Sequence, residues 1–391
     1  MLRLRISNER RGLCGTDSPG LPALSYLSTE TGFSLIEILI ALVIGLVSTL
    51  AIMQLFSLSA GQKAAISGSG DAQTNGALAL YSLERDIRQA GYGASALNLL
   101  GCSLQVTTSS GATLTLSALA PVTINHPDIP AGDTNTDTLL VMYGSDNGTA
   151  EGDGILAPST SPSYTVKAPT AFAVNDRVIA LPVTRPSPCS LVLGRVYGKS
   201  NNFPNVTGWA SGMINGTLFN LGQAPRVLAY AIRGGDLTVC DFLTNNCSDT
   251  NASGDSTFWV PIVNGIVGLR AQYGRDTSTT MDGVVDRYDQ SVASPATTPA
   301  VSSVQCGWAR VSAVRIALAA RAGQRATTAV TATAPTWAGS TASAGNSTTP
   351  ASVATPFNLS ALTDWQHYRY KVFETVVPIR NIILLGVQTG C

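Results

Sequence analysis

Charged side chains are scarce in this sequence. They make up 12% of its 391 residues, about half the usual share, and 24 Lys and Arg balance 24 Asp and Glu. This balance gives no reason to expect a nucleic-acid partner, which needs an excess of basic residues. Histidine is scarce too, with His126 and His367 far apart in the chain. A His and Cys metal cluster therefore lacks ligands, and we expect both histidines to be ordinary surface or turn residues.

Common catalytic signatures are also missing. The chain contains no HExxH, no GxSxG and no phosphate-binding loop. Residues Gly91–Ala96, GYGASA, match a loose dinucleotide-binding pattern, but that pattern should follow a strand, and here it follows a predicted helix. We interpret it as a helix stop. These absences favour a structural protein over an enzyme.

One apolar run stands out, at residues 33–58, where Glu37 is the only charged residue. As a helix it would span about 39 Å, more than the ~30 Å hydrocarbon core of a bilayer. Arginines precede the run and the first charge after it is Lys63, so we expect residues 1–32 in the cytoplasm and the remainder outside. The run is too long for the apolar region of an ordinary signal peptide. It predicts one membrane-spanning segment.

The charge of Glu37 is unfavourable inside a membrane, since a charge at the bilayer centre costs roughly 2–3 kcal/mol, so its presence indicates a function. Residues 32–37, GFSLIE, resemble the type IV prepilin motif. The resemblance implies that a prepilin peptidase cuts between Gly32 and Phe33 and methylates the new amine of Phe33. It also implies that Glu37 pairs with the N-terminal amine of a neighbouring subunit. Thr31 departs from the Lys or Arg usual before the cleaved bond, and Gln54 stands where many major pilins have Pro.

A long helix is expected, since no proline occurs between Pro22 and Pro121. Its Gly-rich stretch 68–76 is expected to loosen or break it. Gly91 predicts its end. Residues 75–90 form the second, amphipathic half of this predicted helix. Its apolar stripe at helical spacing consists of Leu80, Leu83, Ile87 and Ala90.

Beyond Gly91 the pattern changes to short β-like runs between turn residues, with no βα alternation that would indicate a parallel sheet. We predict an α+β fold: a pilin-like, long N-terminal hydrophobic helix packed on a large antiparallel β-sheet head with long loops. Low-complexity loops are expected at Ser291–Ser303 and at Ala326–Thr355, the second exposed and mobile. The predicted strands are Thr138–Tyr143, Arg177–Leu181, Arg226–Ile232, Ile262–Tyr273, Val311–Ala319 and Tyr370–Val377.

Several segments along the chain resemble one particular family of pilins. The stretches 83–93 (LERDIRQAGYG), 260–274 (VPIVNGIVGLRAQYG), 311–321 (VSAVRIALAAR) and 368–381 (YRYKVFETVVPIRN) look like the minor pilin family called PilW. The resemblance implies a subunit that helps initiate a type IV pilus and lies near its tip. The implied partners are the prepilin peptidase, other minor pilins, the major pilin, a large tip adhesin and the inner membrane. Twitching motility and cell adhesion are the implied processes.

These observations divide the chain into three parts. We expect a cytoplasmic leader at 1–32, an N-terminal helix at 33–91, and a periplasmic or extracellular β-rich head at 92–391, with two possible subdomains. The first is removed, and the protein moves from the inner membrane to a cell-surface pilus. Two other readings stay open: a type II secretion pseudopilin, and a membrane-anchored adhesin exported with a prepilin-like signal.

Seven cysteines are present, and Cys14 lies before the apolar run. The six others predict up to about three disulfides in an exported chain, in any of about 15 connectivities, whereas a cytosolic protein would keep free thiols. Cys240 and Cys247 flank the six residues DFLTNN, so we expect their bridge to close a hairpin. A disulfide at Cys391 would anchor a terminus. Its partner is left open among three cysteines, and our hypothesis is Cys102–Cys306 with Cys189–Cys391.

Two further patterns are weaker. Asp276, Asp282 and Asp286 vaguely resemble a calcium loop, but residues 277–281 supply few strong ligands, so turn formation explains them better and no cofactor is expected. Basic residues in two PilW-like segments are candidates for a partner surface, although a solvated face is the commoner reading. They are Arg85, Arg88, Arg369, Lys371 and Arg380.

Overall fold

The first element is a long helix, α1, which spans Leu35–Gln89. The computed structural model describes residues 32–145, 149, 151–160, 162–292, 301–341 and 356–391. The leader prediction at 1–32 lies outside these residues except for Gly32. The chain divides into two units, residues 1–60 and 61–391. α1 contributes its beginning to the first unit and its end to the second.

Glycines keep α1 close to a sheet, and the expected break at 68–76 is wrong, because the helix is continuous there. A Cβ on Gly76 would meet the ring of Phe373 at 2.1 Å, so glycine is required for this close approach. Ala72 is buried one turn earlier. Close packing thus offsets the roughly 1 kcal/mol by which glycine weakens a helix.

The amphipathic half of α1 buries one face in the second unit. Leu83, Ile87 and Ala90 of the predicted stripe are fully buried, together with Ala79. Leu80 is only half-buried at the edge of this face. The helix ends where expected: Gly91 has φ +81°, a left-handed conformation that glycine adopts at no steric cost, and its N–H donates to Met142 O at 2.7 Å.

The remaining elements are mostly strands. The helices are α2 (Val304–Ala309) and α3 (Arg380–Ile383). The strands are β1 (Ser103–Thr107), β2 (Thr113–Leu116), β3 (Val122–Ile124), β4 (Leu139–Tyr143), β5 (Asp153–Gly154), β6 (Arg177–Leu181), β7 (Ser190–Ser200), β8 (Phe203–Val206), β9 (Thr217–Gly222), β10 (Arg226–Arg233), β11 (Asp236–Asp241), β12 (Val260–Val263), β13 (Ile266–Arg275), β14 (Arg287–Asp289), β15 (Val311–Arg321) and β16 (Tyr370–Pro378).

The strands of the described residues form three sheets, where one large sheet was expected. Their orders are β2-β1-β7-β6-β9-β5 with β8 on β7, then β12-β11-β10-β4-β3, and β14-β13-β15-β16. Pairing is antiparallel except between β1 and β7, which run parallel. The α+β class is confirmed.

Several hydrophobic cores hold these sheets together. The buried face of α1 joins residues of β4, β10, β13 and β15 in one core. A second core surrounds β1, β7 and β9, and a third, with Tyr164 and Phe172, packs on the other face of β6. Trp337 is 5% exposed in a fourth core with Phe357, so the expected exposure of the loop 326–355 is wrong there. The loop residues 293–300 and 342–355 lie outside the described residues.

The disulfides differ from the hypothesis in two of three pairs. Cys240 is joined to Cys247, as predicted, with Cα atoms 5.9 Å apart. The expected hairpin between them is wrong, because Cys247 lies in a turn and the next strand that pairs with β11, β12, begins only at Val260. The pairs Cys102–Cys306 and Cys189–Cys391 are also wrong. The structure joins Cys102 to Cys189 and Cys306 to Cys391.

The parallel strand pair explains the first of these bridges. Ser103 of β1 lies opposite Ser190 of β7, so the residues immediately before them are brought side by side, with Cα atoms 4.8 Å apart. At the other bridge, Arg310 Nε donates to Cys391 O at 3.0 Å and holds that residue near α2, which carries Cys306.

Removing the two kinds of bridge should have unequal effects on stability. The Cys102–Cys189 bridge joins residues 87 positions apart, and the Cys240–Cys247 bridge joins residues 7 apart. A longer closed loop restricts the unfolded chain more. Replacing both cysteines of the first pair by alanine should therefore lower the free energy of unfolding more than the same change at the second pair, within the ~2–4 kcal/mol typical of a disulfide. Urea unfolding of the full chain in detergent measures both. Equal losses would contradict the loop-length argument.

Candidate functional site

The apolar surface of α1 is the first candidate site. Among the described residues, the 23-residue stretch Leu35–Ser57 is long and apolar enough to cross a membrane, and none of it is buried. Phe33, Leu35 and Met53 are 80%, 77% and 71% exposed. An apolar surface of this extent is unfavourable in water, and it indicates a lipid or protein environment.

Two hydroxyl groups inside this stretch bond to the helix itself. Ser48 Oγ donates to Ile44 O at 2.7 Å, and Thr49 Oγ1 donates to Leu46 O at 2.8 Å. Each hydroxyl therefore has an acceptor without water, which suits an apolar surrounding.

Glu37 is the one charged residue of this stretch. It lies in the first turn of α1, where a negative charge suits the helix dipole, and its N–H donates to Ser34 O at 2.9 Å. Its side chain is exposed, and no ion pair involves it within the part of the chain that the structure describes. Gly32 and Phe33 precede the helix in a non-helical conformation.

Two of the PilW-like segments meet in the second unit. Asn381 Nδ2 donates to Gln89 O at 3.1 Å and to Ala90 O at 2.9 Å, which satisfies carbonyls at the C-terminal end of α1. Gly91 lets neighbouring residues pack closely against the end of α1, since a Cβ there would lie 2.9 Å from Pro121 and 3.4 Å from Asn381. The segment 91–96 is thus part of a helix terminus, as interpreted.

A buried carboxylate next to this junction was not singled out in the sequence. Asp86 is 1% exposed and accepts hydrogen bonds from Tyr143 Oη at 3.1 Å, from Tyr230 Oη, and from Arg85 Nε at 3.0 Å. Burial and then the charge of Asp86 raise the pKa of Tyr143 to about 12, and the same causes raise the pKa of Tyr230. Both phenols therefore stay protonated donors. The sequence did contain a signal for this burial: Asp86 follows Leu83 by three positions, which places it on the apolar face of the helix.

The five basic residues considered for a partner surface are only partly brought together. Arg88 and Arg380 line one cavity with a volume of about 730 Å³. Arg85 is bonded to Asp86 instead. Arg369 and Lys371 are exposed and do not line this cavity.

The calcium-like carboxylates are used in turns. Asp276 accepts from the N–H groups of Ser278, Asp282 and Gly283 at 2.7–2.9 Å, and from Arg310 Nη1 at 3.3 Å. Asp286 Oδ2 accepts from the N–H of Thr277 at 2.8 Å. Among the described residues, no group of three His, Cys, Asp or Glu side chains is placed to hold a metal ion. The turn interpretation accounts for these residues.

One histidine is buried in a turn: the N–H of Ile129 donates to His126 O at 3.0 Å, so the turn alternative of the expectation describes it and the surface alternative does not. His126 is 1% exposed, and its Nδ1 accepts from the N–H of Asp128 at 3.2 Å. Burial lowers the pKa of His126, and this outweighs the nearby Asp128 carboxylate, which acts in the opposite direction. His367 is half-buried, with Nδ1 3.0 Å from Ala326 O.

The pKa of His126 predicts a loss of stability in mild acid. An unfolded histidine titrates near 6.5, so below that pH the unfolded chain binds a proton that the folded chain resists. The contribution is complete above ~6.5 and is lost as the pH falls toward the lower folded pKa. Between pH 7.5 and pH 5.5, the free energy of unfolding of the full chain should fall more than that of His126→Gln. Parallel pH profiles from urea unfolding would contradict this.

Comparison with known proteins gives one match. Residues 237–381, from β11 to α3, match the family model "PilW: Type IV Pilus-assembly protein W". No curated protein and no solved structure matches the chain. The family match confirms the PilW resemblance and supports a protein of type IV pilus assembly. Together with the apolar helix surface, it is consistent with a membrane-anchored pilin.

Proposed function

We propose that this pilus-assembly protein is a minor pilin that is processed between Gly32 and Phe33 and then built into a type IV pilus. The proposal rests mainly on Glu37, a carboxylate that has no partner within its own described chain and lies on an exposed apolar helix. The leader at 1–32, the helix at 33–91 and the head at 92–391 are the parts of this proposed precursor.

Assembly in this proposal transfers the apolar surface from lipid to neighbouring helices. Cleavage frees the amine of Phe33, and a free amine and a carboxylate are both charged at neutral pH. At ~4 Å and an effective dielectric constant of ~20 their attraction is about 4 kcal/mol before desolvation. Because Glu37 lies one helical turn from that amine, it is placed to pair with the amine of the next subunit and so to select the axial register.

The head carries the specific role in this proposal. The PilW match lies entirely within it and supports a part in type IV pilus assembly. In this proposal the subunit helps initiate the pilus near its tip, beside other minor pilins, the major pilin and a large adhesin. Before assembly the head is periplasmic and the helix lies in the inner membrane. The role is structural rather than enzymatic.

Processing is the direct test of this function. N-terminal mass spectrometry of the protein from membranes should find a mature chain that begins at Phe33 with one added methyl group on its amine. A prepilin peptidase deletion in the same host serves as the control and should leave the leader attached. A mature chain that begins beyond Leu58 would mean an ordinary signal peptidase acted, and would overturn the proposal.

A further inference from the structure

A cationic groove, the cavity of about 730 Å³ described above, lies between the end of α1, α3 and the ends of β4 and β10. Arg88, Arg226 and Arg380 are in its wall, and none of the described carboxylates lines it. Two acids lie just outside: Glu84 pairs with Arg88, and Asp241 Oδ2 is 3.3 Å from Arg226 Nη1. Among the described residues at the groove, three positive charges are thus opposed by two negative ones.

Of the three arginines that line the groove, Arg380 is the one for which no ion pair with a described acid is found. Its position is nevertheless fixed, because it begins α3 and the next residue, Asn381, bonds to the carbonyls of Gln89 and Ala90. The side chain of Arg380 is exposed, and the planar fork of a guanidinium matches a carboxylate.

The rim of the groove is apolar. Leu384 is 80% exposed and Ile383 is 50% exposed, while Tyr92 and Tyr143 contribute to the wall. Arg and Tyr beside exposed aliphatic groups are the composition of protein interfaces, where these residues dominate binding. A small anion would contact the guanidinium groups but would leave Leu384 in water. The surface therefore favours a polypeptide.

We propose that the cationic groove binds an acidic segment of a neighbouring pilus subunit. A carboxylate of that segment pairs with Arg380, and an adjacent apolar side chain covers Leu384. That the partner is a pilus subunit rests on the proposed function, whereas the carboxylate chemistry rests on the groove itself.

Photo-crosslinking in the native host tests this proposal. The full chain carries p-benzoylphenylalanine at position 384, and irradiated cells are analysed by mass spectrometry of the cross-linked peptides. The expected adduct joins position 384 to another pilus subunit, at a peptide that contains Asp or Glu. Adding Arg380→Glu should lower the adduct yield by about tenfold or more, because like charges then oppose each other, and Arg380→Gln should lower it less.

Arg369→Glu is the matched control, since Arg369 is an exposed arginine of the same C-terminal segment that lies outside the groove. It should leave the adduct yield unchanged. No adduct, an adduct with phospholipid alone, an adduct with a peptide that lacks acids, or equal yields with Arg380→Glu would each overturn the proposal. The N-terminal mass of the same sample separates the two ideas: a chain starting at Phe33 without the adduct overturns the groove alone.

Discussion

Glu37→Ala is expected to stay in the membrane at normal levels but to be depleted from pili by at least about tenfold, since each 1.4 kcal/mol of lost pairing is worth a factor of ten. The reason is the lost attraction to the amine of the next subunit. Side chains of Leu35–Ser57 are exposed, so the substitution removes no packing contact among the described residues. The ratio of the protein in sheared pili to that in membranes, measured by quantitative mass spectrometry, reports the effect.

Two further variants make the result specific. Glu37→Asp keeps the charge on a shorter side chain and should recover part of the incorporation. Asp71→Ala removes an exposed carboxylate from the same helix, away from the cationic groove, and should leave incorporation unchanged. If Glu37→Ala enters pili at the wild-type ratio, the proposed pairing is wrong, and the apolar surface alone drives assembly.

Strands were predictable where their sequence is rich in β-branched and other apolar residues. Arg177–Leu181 has the predicted bounds, and Val311–Ala319 extends by two residues. β7 was missed, because Gly194 and Gly198 interrupt its pattern. The reason for Gly194 is tertiary: a Cβ there would lie 2.3 Å from Thr207 O, so the glycine serves a close approach that local patterns do not reveal.

The pairing of strands that are distant in the chain could not be predicted from the sequence either. The predicted run Ile262–Tyr273 is two strands, separated where Gly265 takes φ +72° between β12 and β13. The parallel β1–β7 pair determines the Cys102–Cys189 bridge, and no local signal reports which strands lie side by side. The hydrophobic pattern specifies faces, whereas partners depend on the whole fold.

Some residues of the candidate site could likewise be predicted from the sequence, and others could not. Glu37 was identified because a single charge in an apolar run is conspicuous in the sequence itself. Asp86 was not, because charged residues are common on an amphipathic helix, and what makes it unusual is Tyr230, 144 positions away. The cationic groove likewise depends on Arg226, which lies in neither of the segments that supply Arg88 and Arg380.

Asp86 fixes the end of α1 to the sheet that contains β4 and β10. Its two tyrosine partners come from these adjacent strands, and its carboxylate is almost fully buried. Such a charge is tolerated only when its hydrogen-bonding capacity is satisfied, and the removal of one member leaves the others buried without partners. The nearby Arg88–Glu84 pair is partly exposed and offers a direct comparison on the same helix.

Asp86→Ala should therefore lower the free energy of unfolding by about 3–5 kcal/mol, because two buried phenols lose their acceptor and the Arg85 pair is broken. Glu84→Ala should cost less than about 1 kcal/mol, as expected for a partly exposed pair. Urea unfolding of the full chain in detergent measures both. Tyr230→Phe tests the same cluster from the sheet side and should cost about 1.5–3 kcal/mol, the value of a hydrogen bond to a charged group. Equal effects of Asp86→Ala and Glu84→Ala would show that the cluster does not hold α1 to the sheet.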